Sequence, residues 1–392
     1  MFGEIAPRPR TPRAPFISIE EALEETRRGR MVILMDDENR ENEGDLCMAA
    51  EKVTTDAINF MAKYGRGLIC LPMSAERINQ LGLSMMVGDN QAPLGTAFTT
   101  PITARRATGS GISAHDRAIT ILQAVREDAS PREFITPGYV YPLRARDGGV
   151  LVRTGQTEGG VDLARLAGLK PASVICEILK DDGTMARRDD LVEFSREHSL
   201  KIVTVADIIE YRLRTETLVQ RIAEARLPTA FGEFTASVFR NLVDQSEHLV
   251  LTMGYITPEE PILVRAHREY LPGDVFGYTA RNTRGLLHAA MEQIALAGKG
   301  VILYLKRESD AIAGDIDTPG RRSRRASTRF NAPEADFRDY GIGAQILREV
   351  GVRRMRLLTD KPPRLANLPG YGLEIVESAP LSIVNGGAPL DG

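Results

Sequence analysis

The sequence has few cysteines, no long apolar run and no strong net charge, and each lack excludes a class of protein. Three cysteines in 392 residues cannot build a disulfide framework, and none lies in the paired spacing of a metal site. The longest apolar runs, such as Gly300–Leu305, are far too short to span a bilayer. A net charge of −3 gives no general attraction to nucleic acid or to an anionic membrane. We therefore expect a cytoplasmic protein that binds neither, with Cys47, Cys70 and Cys176 as buried thiols.

Length and alternation of local patterns predict two folded domains behind a short tail. The chain exceeds what one hydrophobic core usually supports. Residues 1–16 are rich in Pro and Arg and lack the apolar stretch of a signal peptide, so a flexible solvated tail is expected. Short apolar runs then alternate with helical stretches, which is typical of a layered α/β or α+β domain. We place the domains at residues 17–213 and 214–392.

Periodicity assigns the elements of both domains. Ser18–Arg30 predicts an amphipathic helix, while Met31–Met35 and Gly149–Val152 predict short buried strands. Arg212–Arg226 is interpreted as a charged connecting segment. The Arg-rich stretch Lys306–Asp336 lacks periodicity and is interpreted as a solvated loop, with a nucleic-acid patch as the less favoured alternative. In the second domain we predict strands at Phe234–Phe239, Leu249–Met253, Pro261–Ala266, Gly300–Leu305 and Arg354–Thr359, and a helix at Gly341–Val350.

The densest chemical signal is the run Asp36–Asp45, which reads DDENRENEGD and follows the first predicted strand. Its six acidic side chains repel one another unless a cation joins them. A divalent cation with oxygen ligands, helped by Arg40, is the simplest answer. The alternative is a solvated acidic turn. The preceding strand and the glycine within the run favour a shaped site.

Motifs in the first domain resemble a known enzyme family. DDENRENEGD, GISAHDR at 111–117, YPLRARDGGVLVRTGQTEGG at 141–160 and VICEILKDDGTMAR at 174–187 are similar to 3,4-dihydroxy-2-butanone-4-phosphate synthase. The resemblance implies that ribulose 5-phosphate is converted, with Mg²⁺ or Mn²⁺, into a four-carbon dihydroxybutanone phosphate and formate. It also implies a homodimer, since the family's active sites lie at the subunit interface.

Motifs in the second domain resemble GTP cyclohydrolase II, which is fused behind the synthase in bifunctional riboflavin-pathway enzymes. They are LPTAFGEF at 227–234, LVRAH at 263–267, LPGDVFG at 271–277, YGIGAQIL at 340–347 and LPGYGLEIVE at 368–377. Together the two resemblances cover nearly everything after the tail, and they imply an α/β synthase-like domain followed by a cyclohydrolase-like domain.

The resemblance assigns site residues by position. A fixed guanidinium and a hydroxyl suit a phosphate dianion, and a carboxylate can remove a proton made acidic by a neighbouring carbonyl. The predicted catalytic residues are Glu177, Glu43 and Tyr139; the substrate-binding residues are Arg40, Asp45, Thr108, Arg153 and Thr157; the metal ligands are Glu41 and Gln156.

The first domain departs from the family at two histidine positions. Gln156 replaces the second metal ligand; its carbonyl oxygen can bind Mg²⁺, but the side chain cannot carry protons as imidazole does. Tyr139 replaces the other histidine, and a phenol titrates near ~10 rather than ~6.5. Thr108-Gly109-Ser110 stands where the family usually has consecutive threonines. We expect the standard synthase activity to be weak or absent.

The second domain departs further. The resemblance implies three cysteine ligands for zinc, and Tyr270, Arg281 and Thr283 occupy those positions, so we expect no zinc and no GTP cyclohydrolase II activity. The family's nucleotide-binding Glu-Gly-Arg is Glu308-Ser309-Asp310 here. Asp336, Arg338 and Thr359 match remaining functional positions of the family.

Three functions stay open. The first domain can act on a pentose phosphate with changed efficiency, or serve specialised metabolism with a changed product. Alternatively, the chain is a catalytically silent partner that binds or regulates an intact riboflavin-pathway enzyme. The loss of histidines and cysteines motivates the silent partner, and the retained carboxylates and phosphate residues motivate the enzyme.

Overall fold

The computed structural model of the chain describes residues 15–37, 40–279, 282–306, 333–359 and 368–381, with backbone alone over 333–340 and 369–370. The chain forms two compact units, Met1–Tyr211 and Arg212–Gly392. The predicted tail falls largely outside the described residues, although Phe16 already pairs with Ile202. No helix in these ranges is both long and apolar enough to cross a membrane.

The first unit is built on a mixed sheet of seven strands in its described residues, ordered β4-β5-β3-β6-β2-β1-β7. Its central strands are apolar and buried, which is why the sequence shows short continuous apolar runs there. Helix α5 packs against β1, β2 and β6, and this packing places its first turn beside the loop that joins β1 to β2. The strands are β1 Val32–Met35, β2 Gly44–Ala49, β3 Cys70–Met73, β4 Ile102–Ala104, β5 Phe134–Arg144, β6 Ser173–Glu177 and β7 Lys201–Thr204. The helices are α1 Ile19–Arg27, α2 Thr55–Phe60, α3 Ala75–Gln80, α4 Ala114–Ala124, α5 Gln156–Leu166, α6 Arg188–His198 and α7 Val205–Thr215.

The second unit also contains a seven-stranded sheet in the described ranges, ordered β14-β13-β11-β12-β10-β9-β8. Strands β8, β9, β10 and β12 pair antiparallel, and β12, β11, β13 and β14 pair parallel. Its core includes Phe234, Ile294, Ile302 and Leu358. The strands are β8 Val219–Thr229, β9 Gly232–Asn241, β10 Glu247–Met253, β11 Pro261–Arg268, β12 Gly300–Leu305, β13 Arg354–Leu358 and β14 Glu374–Ala379; the helices are α8 Leu271–Asp274, α9 Thr283–Ala297 and α10 Pro333–Glu349.

Three sequence assignments were wrong, and each has a physical reason. Gly149–Leu151 forms a 3₁₀ turn rather than a strand, beginning after Gly148 in the left-handed region. Much of the supposed connecting segment is strand β8; it lies at a sheet edge with most side chains exposed, so no apolar pattern marks it. Helix α10 begins at Pro333, earlier than predicted, because a proline is well suited to the first turn of a helix.

The three cysteines are free and buried, which confirms the prediction of buried thiols. Burial raises the pKa of Cys176 to about 12, with the neighbouring charge of Glu177 adding to the effect. A thiol with such a pKa is a poor nucleophile at neutral pH.

Candidate functional site

The acidic loop between β1 and β2 is closed from inside by one buried carboxylate. Asp36, 3 % exposed, directly follows β1. Its oxygens accept the backbone N–H groups of Glu41 at 3.1 Å and Glu43 at 2.9 Å, and the Nη1 of Arg40 at 2.6 Å. Asp36 is therefore the inner anchor of the loop. The sequence prediction included it in the acidic run but gave it no role.

Arg40 joins the loop to the first turn of α5. Its Nη1 lies 2.6 Å from Oε2 of Glu41 and 2.9 Å from Oε1 of Gln156. Burial alone would lower the pKa of Arg40, but Glu41 and Asp36 raise it. The two predicted metal ligands thus converge on one cationic nitrogen, and both present an oxygen to it.

A second guanidinium approaches the same turn. A Cβ placed on Gly155, the residue before α5, would lie 2.7 Å from Nη1 of Arg153 and 3.0 Å from Nη2 of Arg40. Arg153 is held by Glu158, with Nη1 2.6 Å from Oε2. Thr157 is buried in the first turn of α5. The structure therefore brings both predicted phosphate residues to a helix N-terminus, where unpaired N–H groups attract anions.

Two carboxyl groups face each other at the ends of β2 and β6. Asp45 pairs directly with Glu177 in the antiparallel register. Burial raises the pKa of Asp45 well above its usual value, and the charges of Glu177 and Glu41 raise it further. Burial also raises the pKa of Glu177, and hydrogen bonds only partly offset this effect. The pair holds a proton more readily than two exposed carboxylates would.

Glu177 is held by the backbone that precedes β3. Its Oε2 accepts the N–H of Leu68 at 2.8 Å. A Cβ on Gly67 would lie 2.6 Å from that oxygen and 2.5 Å from the carbonyl oxygen of Glu177. Only glycine lets this segment approach so closely. The sequence alone gave no signal for the contact, because the two residues are far apart along the chain.

Glu43 lies on the outer side of the loop. Burial raises the pKa of Glu43, with Glu41 adding to the shift and Arg187 opposing it. Its Oε1 is 3.3 Å from Nη1 of Arg187. Arg187 was quoted within a motif but was assigned no role from the sequence.

Thr108 and Tyr139 lie near Gly111 and make their hydrogen bonds away from the acidic loop. Asp116, on α4, accepts the N–H groups of Thr108 at 3.1 Å and Gly111 at 3.2 Å. A Cβ on Gly111 would lie 3.1 Å from the ring of Tyr139, whose side chain is 44 % exposed. Within the described residues, neither Thr108 nor Tyr139 has a hydrogen bond or ion pair to the acidic loop or to Glu177.

Glu41, Asp45, Gln156 and Glu177 together are called the acidic pocket below. Their side chains offer the oxygen ligands that a divalent cation such as Mg²⁺ prefers. Glu41 and Gln156 both present an oxygen to Nη1 of Arg40. Burial raises the pKa of Asp45 and of Glu177, and the charge of Glu41 adds to both shifts. In the described part of the chain, no cluster of three or more His, Cys, Asp or Glu side chains forms a complete metal site. Water or substrate oxygens would therefore have to complete the coordination, as they commonly do around Mg²⁺.

In the second unit, a cluster of hydrogen-bonded polar side chains surrounds Asp274, next to Tyr270. Asp274 lies with Oδ1 3.0 Å from Nε2 of His267, and its Oδ2 accepts the N–H of Tyr270 at 2.8 Å and the hydroxyl of Tyr304 at 2.8 Å. The rings of His267 and Tyr304 stack, with centroids 5.3 Å apart. Tyr270 itself is buried. Sequence reasoning did not identify Asp274.

The other predicted residues of this unit are only partly described. Thr283 is buried at the start of α9. Thr359 donates its N–H to Ala379 O at 2.9 Å, after β13. Asp336 and Arg338 lie in α10, but their side chains are outside the described residues, as are Arg281 and residues 308–310.

Comparison with known proteins adds family matches in both units. Residues 20–211 match the 3,4-dihydroxy-2-butanone 4-phosphate synthase family, and residues 220–380 match the GTP cyclohydrolase II family. Riboflavin biosynthesis protein RibBA of Aquifex aeolicus is 53% identical over 94% of this chain and 93% of its own length. The bifunctional riboflavin biosynthesis protein RIBA 1, chloroplastic, of Arabidopsis thaliana is 43% identical over 94% of this chain and 70% of its own length.

Solved structures agree with these matches. RibBX, a two-domain 3,4-dihydroxy-2-butanone 4-phosphate synthase from A. baumannii, superposes with a TM-score of 0.76 at 39% identity, covering 93% of this chain and 100% of that one. A 3,4-dihydroxy-2-butanone 4-phosphate synthase in complex with two magnesium ions has a TM-score of 0.50 at 43% identity, covering 51% of this chain and 99% of that one. The resemblance and the α/β two-domain fold expected from the sequence are thus confirmed, while the individual site residues stay predictions.

Proposed function

The chain belongs to the bifunctional riboflavin biosynthesis family, in which a 3,4-dihydroxy-2-butanone 4-phosphate synthase precedes GTP cyclohydrolase II, and from this premise we propose that only its first unit is catalytic. The first unit binds a ketopentose phosphate such as ribulose 5-phosphate and carries out an altered, cation-dependent enediol chemistry. The second unit has no GTP cyclohydrolase II activity. The observation that carries the proposal is the convergence of Arg40, Glu41, Arg153 and Gln156 at the start of α5.

Phosphate recognition falls to the first turn of α5. Arg153, already oriented by Glu158, and the hydroxyl of Thr157 stand beside the free N–H groups of the helix. A guanidinium with a fixed plane can give two parallel hydrogen bonds to a phosphate. Arg40 lies close enough to contact the sugar end of the same ligand.

Glu41 and Gln156 are the residues that would hold Mg²⁺ or Mn²⁺, and the bound cation would polarise the substrate carbonyl. Arg40 now contacts both oxygens, so it must release them when a cation binds. The related synthase that contains two magnesium ions supports this assignment.

Proton transfer falls to the facing pair Glu177 and Asp45. A raised pKa makes a carboxylate a stronger base than an exposed one, which suits removal of a proton next to a carbonyl and its return elsewhere. The Leu68 N–H fixes one oxygen of Glu177 and leaves the other to act. Glu43, at the outer side of the loop, adds negative charge to the pocket.

The expected alteration concerns Gln156 and Tyr139. Neither an amide nor a phenol replaces the acid–base capacity of imidazole, and each acid–base group contributes roughly 10² to 10⁴ in rate. We therefore propose slow turnover or a changed product, including a role in specialised metabolism. Tyr139 and Thr108 are exposed and separate from the loop, which is consistent with a homodimer whose partner subunit completes the pocket.

The residues of the second unit do not fit zinc. Tyr270 is buried, and the oxygens of Asp274 are occupied by His267, Tyr304 and the Tyr270 N–H, so no open ligand set remains among these side chains. A zinc hydrolase needs thiolate, imidazole or carboxylate ligands and one open position. The two-domain relative described as a 3,4-dihydroxy-2-butanone 4-phosphate synthase supports a family member that works through one unit.

Incubation with ribulose 5-phosphate and Mg²⁺ tests the proposal, with formate followed by proton NMR and every phosphorylated product by phosphorus NMR. We expect slow appearance of formate or of a new phosphate ester, and no formate from GTP even with added Zn²⁺. Gln156→His combined with Tyr139→His should raise dihydroxybutanone phosphate formation. The proposal is wrong if the protein neither turns over nor binds ribulose 5-phosphate.

A silent partner is the second candidate. It is favoured by Arg40, whose side chain satisfies Glu41 and Gln156 without a cation. In that case the chain should co-purify with an intact riboflavin-pathway enzyme and change its rate. The free, buried thiols are compatible with the cytoplasm, where both candidates would act.

A further inference from the structure

Arg187 reaches from the start of α6 to the acidic loop, across 146 positions of sequence. Its backbone N–H donates to Oδ2 of Asp190 at 2.9 Å, which fixes the turn that opens the helix. Its side chain, although 47% exposed, extends to the acidic loop and contacts Glu43 there. No family assignment made from the sequence includes this residue.

In the described part of the chain, the guanidinium of Arg187 donates hydrogen bonds to three consecutive loop residues. Nη1 donates to the carbonyl oxygen of Glu41, to that of Asn42 at 3.2 Å and to Oε1 of Glu43 at 3.3 Å. Asn42, at the centre, has a φ of 54°, in the left-handed region that non-glycine residues rarely adopt. Asparagine adopts this conformation more readily than most other non-glycine residues, and here the hydrogen bonds from Arg187 to the carbonyl groups of Glu41 and Asn42 hold it.

Asp36 and Arg187 hold opposite faces of the same turn. The carboxylate of Asp36 accepts the N–H groups of Glu41 and Glu43 from inside. The guanidinium of Arg187 binds the carbonyl groups of Glu41 and Asn42 from outside. Donors and acceptors of the loop backbone are thus satisfied by two side chains of opposite charge, and the carboxylates of Glu41 and Glu43 are left to face the pocket and its rim.

We propose that Arg187 is a positioning residue, which sets the conformation of residues 41–43 and so the direction in which Glu41 points. This inference rests on the proposed cation-dependent function of the first unit. Residues that orient a metal ligand without touching the metal commonly change its affinity by about 10- to 100-fold. The same magnitude is expected when Arg187 is removed.

Arg187→Gln removes the guanidinium, and Arg187→Lys keeps the charge without its planar donors. Arg188→Gln is a matched control, because Arg188 is the next residue and packs over the ring of Phe16, 4.7 Å from its centroid. Each full-length variant is compared with the parent by hydrogen–deuterium exchange of a peptide covering residues 40–45, by Mn²⁺ titration and by steady-state kinetics with ribulose 5-phosphate.

Arg187→Gln should accelerate exchange at the Glu41 and Glu43 amides and weaken Mn²⁺ binding by about 10- to 100-fold. It should lower kcat more than it raises KM, because the phosphate residues are untouched. Arg187→Lys should recover part of both losses, and Arg188→Gln should match the parent. A merely structural role would change thermal unfolding without this local exchange pattern.

Parent-like exchange in Arg187→Gln overturns the inference, whatever the activity. If the parent protein fails to turn over ribulose 5-phosphate, the proposed function fails, but the exchange and Mn²⁺ comparisons still decide the role of Arg187. Fast exchange that also appears in Arg188→Gln would equally overturn it, since the effect would then belong to the start of α6 as a whole.

Discussion

The two units each contain buried carboxylates, but they satisfy them in different ways. In the first unit, burial raises the pKa of Asp45, Glu177 and Glu43, and neighbouring carboxylates add to the shifts. In the second unit, Asp274 receives donors from His267, Tyr304 and a backbone amide. In the first cluster the arginines leave the pKa values of the carboxyl groups raised, whereas in the second the hydrogen-bond donors around Asp274 lower its pKa.

This difference teaches which unit depends on something outside the chain. A buried carboxylate costs free energy unless it is paired, hydrogen-bonded or protonated. In the first unit the raised pKa values show that this cost is only partly offset, at a place that also holds arginines, and perturbed titrating groups of this kind are typical of functional sites. In the second unit, hydrogen bonds from His267, Tyr304 and the Tyr270 amide offset the free energy of burying Asp274, so this cluster needs no ligand to be stable.

The largest effect is expected from Glu177→Gln. Glutamine keeps the shape and can still accept the Leu68 N–H, but it cannot take up a proton. Turnover of ribulose 5-phosphate should fall by about 10² to 10⁴. Thermal unfolding should shift upward or not at all, because a buried charge has been removed from an acidic cluster.

Glu76→Gln, at an exposed position of α3, is the control and should leave kinetics and unfolding unchanged. Full activity in Glu177→Gln would show that the facing carboxyl pair is not the proton-transfer group. A loss of activity accompanied by a large drop in melting temperature would instead assign Glu177 to the fold.

Asp274→Ala tests the opposite unit. It strips the acceptor from His267, Tyr304 and the Tyr270 amide, and a buried donor left without a partner costs about 1 to 3 kcal/mol. We expect the second unit to lose roughly 3 kcal/mol of unfolding free energy. Urea unfolding, monitored by hydrogen–deuterium exchange of peptides from β11 and β12, would measure this loss.

Glu292→Ala, at an exposed position of α9 in the same unit, should have little effect. A metal chelator should not lower the stability of the parent protein's second unit. If it does, a metal contributes to this cluster and the contrast between the units disappears.

Gly67→Ala tests how closely the backbone must approach Glu177. The added methyl would lie 2.5 Å from a carbonyl oxygen, so backbone must shift. Such overpacking costs about 1 to 3 kcal/mol and should displace the Leu68 N–H from Glu177. Calorimetry of the first unit and the rate with ribulose 5-phosphate would measure both effects. Gly88→Ala, with open space around its Cβ, should show neither; equal behaviour of the two variants contradicts the proposed fit.

The elements that sequence could predict are those with a local signal. Buried β1 and the amphipathic α1 have the expected periodicity, and the acidic run identifies the loop after β1. Strand β8 has no such signal, because an exposed edge strand can carry charged residues on both faces. The 3₁₀ turn at Gly149–Leu151 was mistaken for a strand because a short apolar run has no distinguishing period.

The contacts that complete the site were beyond sequence reasoning, because each joins distant positions. Arg187 meets Glu41 across 146 residues, and Leu68 meets Glu177 across 109. Tyr304 on β12 contacts Asp274 on α8 across 30 residues, and the parallel pairing of β11 with β12 places His267 beside Tyr304. The residue type indicates a possible ligand or base, but the fold determines which backbone group or guanidinium positions it.

The smallest and most diagnostic effect is expected from Asp45→Asn. The folded-state pKa of Asp45 lies well above the usual 3.8, so the folded chain keeps this proton to higher pH than the unfolded chain does. The parent's unfolding free energy therefore falls as pH rises from about 3.8 through the raised pKa. Asparagine does not titrate, so the variant should lack this contribution to the fall.

Melting temperatures measured without divalent cations should consequently agree at low pH and diverge as pH rises, with the variant several degrees more stable. Mg²⁺ should narrow the gap, because a cation in the pocket favours charged Asp45 in the parent. Asp181→Asn, at a side chain 97% exposed, should show a much smaller pH-dependent difference. A gap that stays constant with pH would mean that the pKa of Asp45 is the same in the folded and the unfolded chain, and that Asp45 is as well satisfied in the fold as Asp274 is.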